Sequence, residues 1–156
     1  MNRFAGFFRN ITWVGFLAAL IFSYSYITSS VAYRIDIQGN ELGIADKDTF
    51  FFGSIAIFIV VNAICMGFVA VLKKIKTTED GNGIRNRSLK LDIIGWTKGF
   101  AGVLNIFLTL MLVILVYMNL NEEFKTSSFR YFLFIGPILL VGWFFYLMKL
   151  LGKKRN

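Results

Sequence analysis

Four long apolar stretches constrain what this 156-residue chain can fold into. A helix needs about 20 mostly apolar residues to cross the ~30 Å hydrocarbon core of a bilayer. The stretches cover residues 11–33, 50–72, 100–120 and 129–151, and each reaches that length. Because a segment in lipid must satisfy its backbone hydrogen bonds internally, each stretch predicts an α-helix. The sequence therefore predicts an all-α integral membrane protein, a single domain over residues 1–156 that forms a bundle of four transmembrane helices.

Lysine and arginine are unevenly distributed along the chain. The N-terminal tail carries two of the 17 bases, the loop between the second and third spans seven, and the C-terminal end four. The other two loops hold the remaining four bases and six of the nine acids. Loops rich in Lys and Arg stay in the cytoplasm, so we expect a multi-pass protein with both termini cytoplasmic. The basic middle loop predicts contact with anionic lipids on the cytoplasmic side, and we expect no nucleic acid partner.

The predicted spans lack the residues on which much membrane chemistry depends. No Asp, Glu, Lys, Arg or His lies in the middle of any span, whereas proton-coupled transporters use such groups. Histidine is absent and Cys65 is the single cysteine, which leaves neither a thiol pair nor the usual metal ligands. The acidic loop after the first span lacks the spacing of a calcium-binding loop. We therefore expect no catalytic residue, metal or cofactor, and a protein that is not an enzyme.

Small residues recur on one face of two predicted helices. They are Gly53, Ala56, Ala63, Gly67 and Ala70 in the second span, and Gly95, Gly99 and Gly102 in or just before the third. Residues spaced by three, four or seven positions share one side of a helix. Helices in lipid associate through small residues, which let their backbones approach closely. We predict that both faces are helix contacts, and the alternative reading is the lining of a pore.

Two asparagines, Asn62 and Asn105, lie at membrane depth in the predicted spans. An amide in hydrocarbon needs a hydrogen-bond partner, and a bond between two helices is worth about 1 kcal/mol. The favoured interpretation is that these side chains join helices, and the alternative is a site for a polar ligand or ion. Pro137 in the fourth span predicts a bend in that helix.

The loop between the first two spans has its own structural pattern. In "VAYRIDI", residues 31–37, apolar Val31 and Ile35 alternate with polar Arg34 and Asp36 in the manner of a strand. "QGN" follows with residues that favour a turn, and Asp48 or Thr49 can cap the second span. We predict a short β-hairpin-like loop on the extracytoplasmic face of the bundle.

The same loop carries a family resemblance. Val31, Ile35, Asp36, Gly39 and Lys47 stand at the spacing of a loop of the form V-P-x-H-F-N-x-x-G-x-P-D-x-x-x-x-K. That loop follows the first span of a bacterial membrane-domain family that includes SdpI-type toxin-immunity and signalling proteins, which the chain resembles over about residues 12–70. Arg34 occupies the place of the family's histidine. The resemblance implies a bacterial inner-membrane protein that serves immunity or signalling, with Arg34, Asp36, Gly39 and Lys47 as extracytoplasmic recognition residues.

Three functions remain open at the level of sequence. The first is an accessory or scaffold subunit that packs against a larger membrane protein assembly, which the small-residue faces and the missing chemistry favour. The second is an SdpI-like immunity or sensing protein that recognises a ligand through residues 31–49. The third is a channel or carrier for a neutral substrate that uses Asn62 and Asn105.

Overall fold

The computed structural model describes residues 2–27, 29–35, 41–76, 87–120 and 134–152. Within these residues it contains four helices and one two-stranded antiparallel sheet. The elements in chain order are α1 (Asn2–Tyr26), β1 (Ser30–Ile35), β2 (Glu41–Asp46), α2 (Lys47–Lys74), α3 (Arg87–Leu120) and α4 (Ile135–Gly152). All four helices are long and apolar enough to cross a membrane. The chain thus has the helical architecture of a multi-pass membrane protein.

Helix α1 differs most from its predicted bounds. The apolar stretch covers residues 11–33, yet the helix begins at Asn2 and ends at Tyr26. Residues from Ser30 onward join the hairpin instead, because their alternating pattern suits a strand better than a helix. Helix α3 is longer than its apolar stretch and begins at Arg87. At 1.5 Å per residue its 34 residues extend about 51 Å, which is more than a bilayer core requires.

The bend predicted at Pro137 depends on where α4 begins. Helix α4 begins at Ile135, so Pro137 lies in its first turn rather than in its interior. The backbone N–H groups of a first helical turn have no partner within the helix, so proline removes no hydrogen bond there. Pro137 is therefore compatible with the start of α4 and gives no reason for a bend.

Helix α3 is the centre of the bundle. Helices α1, α2 and α4 each pack against α3, whereas α1 and α2 have few contacts with each other. In the most apolar window of α3, 44% of the residues are buried, against 6% for α4. The remaining helix surfaces are apolar and exposed, as is expected of surfaces that face lipid. One consequence of this arrangement is a groove between α1 and α2.

Three hydrophobic clusters join the elements. In the largest, Phe16 and Leu20 of α1 pack with Phe58 of α2 and Leu112 of α3. The rings of Phe16 and Phe58 stack in parallel, with their centroids 4.1 Å apart. A second cluster joins the hairpin to α3, and a third joins α2 to α3 at Val69, Leu72 and Ile94.

The hairpin is short and irregular. Its strands pair from Ser30 with Asp46 to Ile35 with Glu41, and the register shifts on both sides of Arg34. Gly43 lies directly under the ring of Tyr33, where a Cβ atom would come within 2.7 Å of the ring. A glycine at position 43 therefore lets the aromatic side chain lie flat across the neighbouring strand.

Candidate functional site

A chain of buried polar side chains crosses three helices. The Asn62 side-chain amide on α2 donates to Oδ1 of Asn105 on α3 at 2.8 Å. Nδ2 of Asn105 donates to Oγ1 of Thr12 on α1 at 3.3 Å, and Thr12 donates in turn to the carbonyl oxygen of Arg9 at 2.8 Å. Asn105 has no exposed surface. These bonds link α1, α2 and α3 at one level of the bundle.

Both predicted intramembrane asparagines belong to this polar chain, and the structure brings them into direct contact. Asn62 also donates to the carbonyl oxygen of Phe58, so both hydrogens of its amide are used. A buried amide without partners would cost about 1–3 kcal/mol, so the contact stabilises the packed state. Sequence reasoning did not single out Thr12, because a threonine near the end of an apolar stretch is too common to be informative.

A groove between α1 and α2 reaches the polar chain from the side. It has a volume of about 400 Å³, and its floor includes Asn62. The remaining lining residues are Arg9, Asn10, Trp13, Val14 and Met66. Because the backbones of α1 and α2 approach α3 more closely than each other, the space between them stays open at this level. The groove thus joins a polar floor to walls that are mostly apolar.

The hairpin is held against the end of α3 by one side chain that the sequence analysis missed. Oδ1 of Asn119 accepts from the Ala32 N–H at 2.7 Å, and its Nδ2 donates to the Ala32 carbonyl oxygen at 3.1 Å. Beside this pair, Val31 is fully buried against Ile27 and Val116. An asparagine in the last turn of a predicted span was the available signal, since its amide matches an exposed strand edge.

Two of the four predicted recognition residues, Arg34 and Lys47, lie in the part of the chain that the structure describes. Arg34 is exposed on β1. Lys47 lies at the start of α2, with its Nζ 4.1 Å from the centre of the Tyr24 ring. The Tyr24 hydroxyl donates to Asp48 at 2.9 Å, so α1 and α2 are joined here. Asp36 and Gly39 lie outside the described residues.

The N-terminus of α2 is capped two residues before Asp48 and three before Thr49, the two predicted caps. Asp46, the residue before the helix, accepts a hydrogen bond from the Thr49 N–H at 2.9 Å. The Thr49 side chain and then its backbone amide hold the pKa of the Asp46 carboxyl below its usual value. Asp48, which was a predicted cap, is instead the acceptor for Tyr24.

The small-residue face of α3 lies in contact with its neighbours. Gly95, Gly99 and Gly102 are all buried. The Trp143 ring of α4 lies against Gly99, and the Phe8 ring of α1 lies against Gly102. Trp96 and Trp143 exchange hydrogen bonds, since each indole N–H donates to the other residue's carbonyl oxygen, at 3.1 and 3.4 Å. Positions 99 and 102 need glycine, because the aromatic rings of Trp143 and Phe8 occupy the space that a side chain would take.

The small-residue face of α2 differs from the prediction of a contact within the bundle. Gly53, Ala56, Ala63, Gly67 and Ala70 are all exposed. Helix α2 packs through the roughly opposite side, where the buried residues are Phe58, Asn62, Cys65, Val69 and Leu72. The bond from Asn62 to Asn105 and the Phe58 contacts set the rotation of α2, which turns the small residues outward. Nothing lies within 4 Å of a Cβ atom built on Gly53 or Gly67.

Neither a metal-ligand cluster nor a similar known protein assigns a function to the chain. Over the described residues, no three His, Cys, Asp or Glu side chains come together in a way that could hold a metal ion. No protein-family model matches the chain, and no curated protein or solved structure shows significant similarity to it. The SdpI-like resemblance therefore stays a prediction that rests on the residues of the loop alone.

Proposed function

We propose that this protein is a non-enzymatic accessory subunit that binds another integral membrane protein through the outer face of α2. We define the α2 outer face as Gly53, Ala56, Ala63, Gly67 and Ala70. The observation that carries the proposal is that these five small residues are all exposed, and that nothing lies within 4 Å of a Cβ atom built on either glycine. Small residues in a span are favoured where a second helix approaches closely.

A comparison inside the molecule supports this proposal. On α3, buried Gly99 and Gly102 are covered by aromatic side chains of neighbouring helices. On α2, the five small residues extend along 18 residues of the helix without such a cover. Larger exposed residues such as Ile64 and Phe68 lie beside them on α2 and are typical of a surface that meets lipid. The partner that fits the α2 outer face is a transmembrane helix with small residues of its own.

The proposed placement is a bacterial inner membrane with both termini in the cytoplasm. The distribution of bases supports it, because the tail, the middle loop and the C-terminal end carry most of the 17 Lys and Arg residues. In this orientation the hairpin lies on the extracytoplasmic side.

Cross-linking within the membrane tests the accessory function. A photoreactive group is attached to a single cysteine introduced at Gly67 in a C65S background, and Phe68 is the matched exposed control. We expect an adduct with another membrane protein from Gly67 and little from Phe68. Equal adducts from both positions, or an adduct of two copies of this chain, would contradict the proposal.

A second candidate function is recognition of an extracytoplasmic ligand by the hairpin, as the SdpI-like resemblance implies. The specific observation in its favour is an exposed apolar surface on a docked hairpin, where Leu42 and Ile44 are both more than half exposed and Arg34 is exposed nearby. Neutralising Arg34 and Asp36 together should abolish the response to such a ligand. An unchanged response would remove this candidate.

A further inference from the structure

Arg9 of α1 lines the groove between α1 and α2. Among the described residues its guanidinium donates to neutral acceptors, which are Sδ of Met66 and Oδ1 of Asn10. Among the described residues no carboxylate forms an ion pair with it. The mouth of the groove therefore favours an anion.

The depth of Arg9 in the bilayer determines which anions can reach it. Helix α2 has 28 residues and extends about 42 Å, which matches a whole bilayer with its headgroups. Met66 lies eight residues before Lys74, the last residue of α2, and so about 12 Å inside the helix end. This level is just below the boundary between headgroups and hydrocarbon. A cation at this depth is costly unless a counterion reaches it, and a lipid phosphate is the anion nearest to that boundary.

The floor of the groove holds an unpartnered acceptor. Asn62 is 9% exposed, and both hydrogens of its amide are used by Phe58 and Asn105. Among the described residues, no group donates to Oδ1 of Asn62. A buried carbonyl oxygen of this kind is normally satisfied by water or a ligand. The floor can therefore accept a hydrogen bond from a molecule that occupies the groove.

We propose that the groove binds one anionic phospholipid, with its phosphate on the Arg9 guanidinium. A guanidinium matches two phosphate oxygens at once and binds them more strongly than a neutral donor does. One acyl chain lies along Trp13 and Val14, which are 40% and 66% exposed. Oδ1 of Asn62 accepts from a lipid hydroxyl or from a water that the lipid encloses. None of the residues that line this groove belongs to the α2 outer face, and the proposal does not depend on the proposed function.

Native mass spectrometry of the full chain in detergent tests this site. Phosphatidylglycerol, phosphatidylcholine and inorganic phosphate are added separately, and then phosphate is added in competition with phosphatidylglycerol. We expect one phosphatidylglycerol to be retained and neither phosphatidylcholine nor phosphate to replace it. The R9Q variant should bind phosphatidylglycerol about tenfold more weakly or worse, because a charge-assisted hydrogen bond is lost. The R3Q variant removes an equal charge outside the groove and should bind within about twofold of the wild type.

A second variant keeps the test decisive if R9Q does not fold. V14W retains Arg9 but fills the groove with an indole, and it should also abolish retention of the lipid. Equal losses in R9Q and R3Q would overturn the proposal, since they would show attraction to net charge alone. Equal binding of phosphatidylcholine, displacement by inorganic phosphate, or full retention by V14W would overturn it as well.

Discussion

The side-chain amide of Asn119 both accepts from the backbone N–H of Ala32 and donates to its carbonyl oxygen, at 2.7 and 3.1 Å. Its Nδ2 also donates to the Leu115 carbonyl oxygen at 2.8 Å, which holds the amide in place on α3. An amide is the side chain whose donor and acceptor match the edge of a strand. Asn119 thus holds the hairpin on α3, together with the buried contact between Val31 and Val116.

Replacing Asn119 should release the hairpin from α3. The N119L variant removes both bonds to Ala32, and N119D keeps the acceptor but loses the donor. At about 0.5–1.5 kcal/mol per bond, we expect amide exchange at Ala32 to be about tenfold faster in N119L, with a smaller increase in N119D. Hydrogen–deuterium exchange measures this directly, and amides in the middle of α3 provide the internal control. Unchanged exchange at Ala32 in N119L would show that apolar contacts alone hold the hairpin.

The polar chain at Asn62 and Asn105 should contribute a measurable coupling free energy. We expect N62A and N105A each to destabilise the bundle, because either change removes one hydrogen bond from the remaining buried amide. The double variant should lose less than the two single losses combined, with a coupling of about 1 kcal/mol. Reversible unfolding in mixed detergent micelles provides the four free energies of unfolding. Additive losses would mean that the coupling free energy between Asn62 and Asn105 is zero.

Replacing glycine by alanine should destabilise the bundle where a neighbouring ring covers the glycine, and not where the glycine faces open space. In G99A the new Cβ atom meets the Trp143 ring, and such overpacking costs about 1–3 kcal/mol. In G142A the Cβ atom enters open space on α4, so the free energy of unfolding should change by less than about 0.5 kcal/mol. Thermal stability in the same detergent compares the two variants. Similar stability of G99A and G142A would argue against the described packing of α4 on α3.

Acidification should weaken the start of α2 through its cap. Because hydrogen bonds from Thr49 lower the pKa of Asp46 in the folded state, the charged cap stabilises folding above the ordinary aspartate pKa. That contribution is lost as pH falls through the lower, folded pKa. An NMR titration of the Asp46 carboxyl should have a midpoint below that of an unstructured aspartate. The Thr49 amide should shift at the same midpoint in the wild type, and the D46N variant should show no such shift.

The sequence predicted the type of each element better than its partners. Apolar length was enough to predict four helices long enough to cross a membrane, and alternation from Val31 to Ile35 was enough to predict a strand. Length alone could not predict where α1 ends, because residues 30–33 continue the first predicted span but belong to β1. The position of Pro137 was known, yet its effect depends on where α4 begins.

The contacts of the candidate site were harder to predict for a physical reason. A helical period shows which residues share a face, but it does not show which face meets a neighbour. On α2, small residues and large residues both form coherent faces, and the bond between Asn62 and Asn105 decides between them. Asn119 and Thr12 act through partners that are 87 and 93 residues away, and no local pattern reveals such pairs.

Purification in a mild detergent tests the central claim, which is that the α2 outer face binds another membrane protein. The wild type is compared with G67L, which fills an open position on that face, and with G142L, which fills an open position on α4. We predict that the wild type and G142L purify with the same membrane protein in a fixed ratio, and that G67L loses it at least about tenfold. Purification of the wild type alone, or retention of the partner by G67L, would contradict the account.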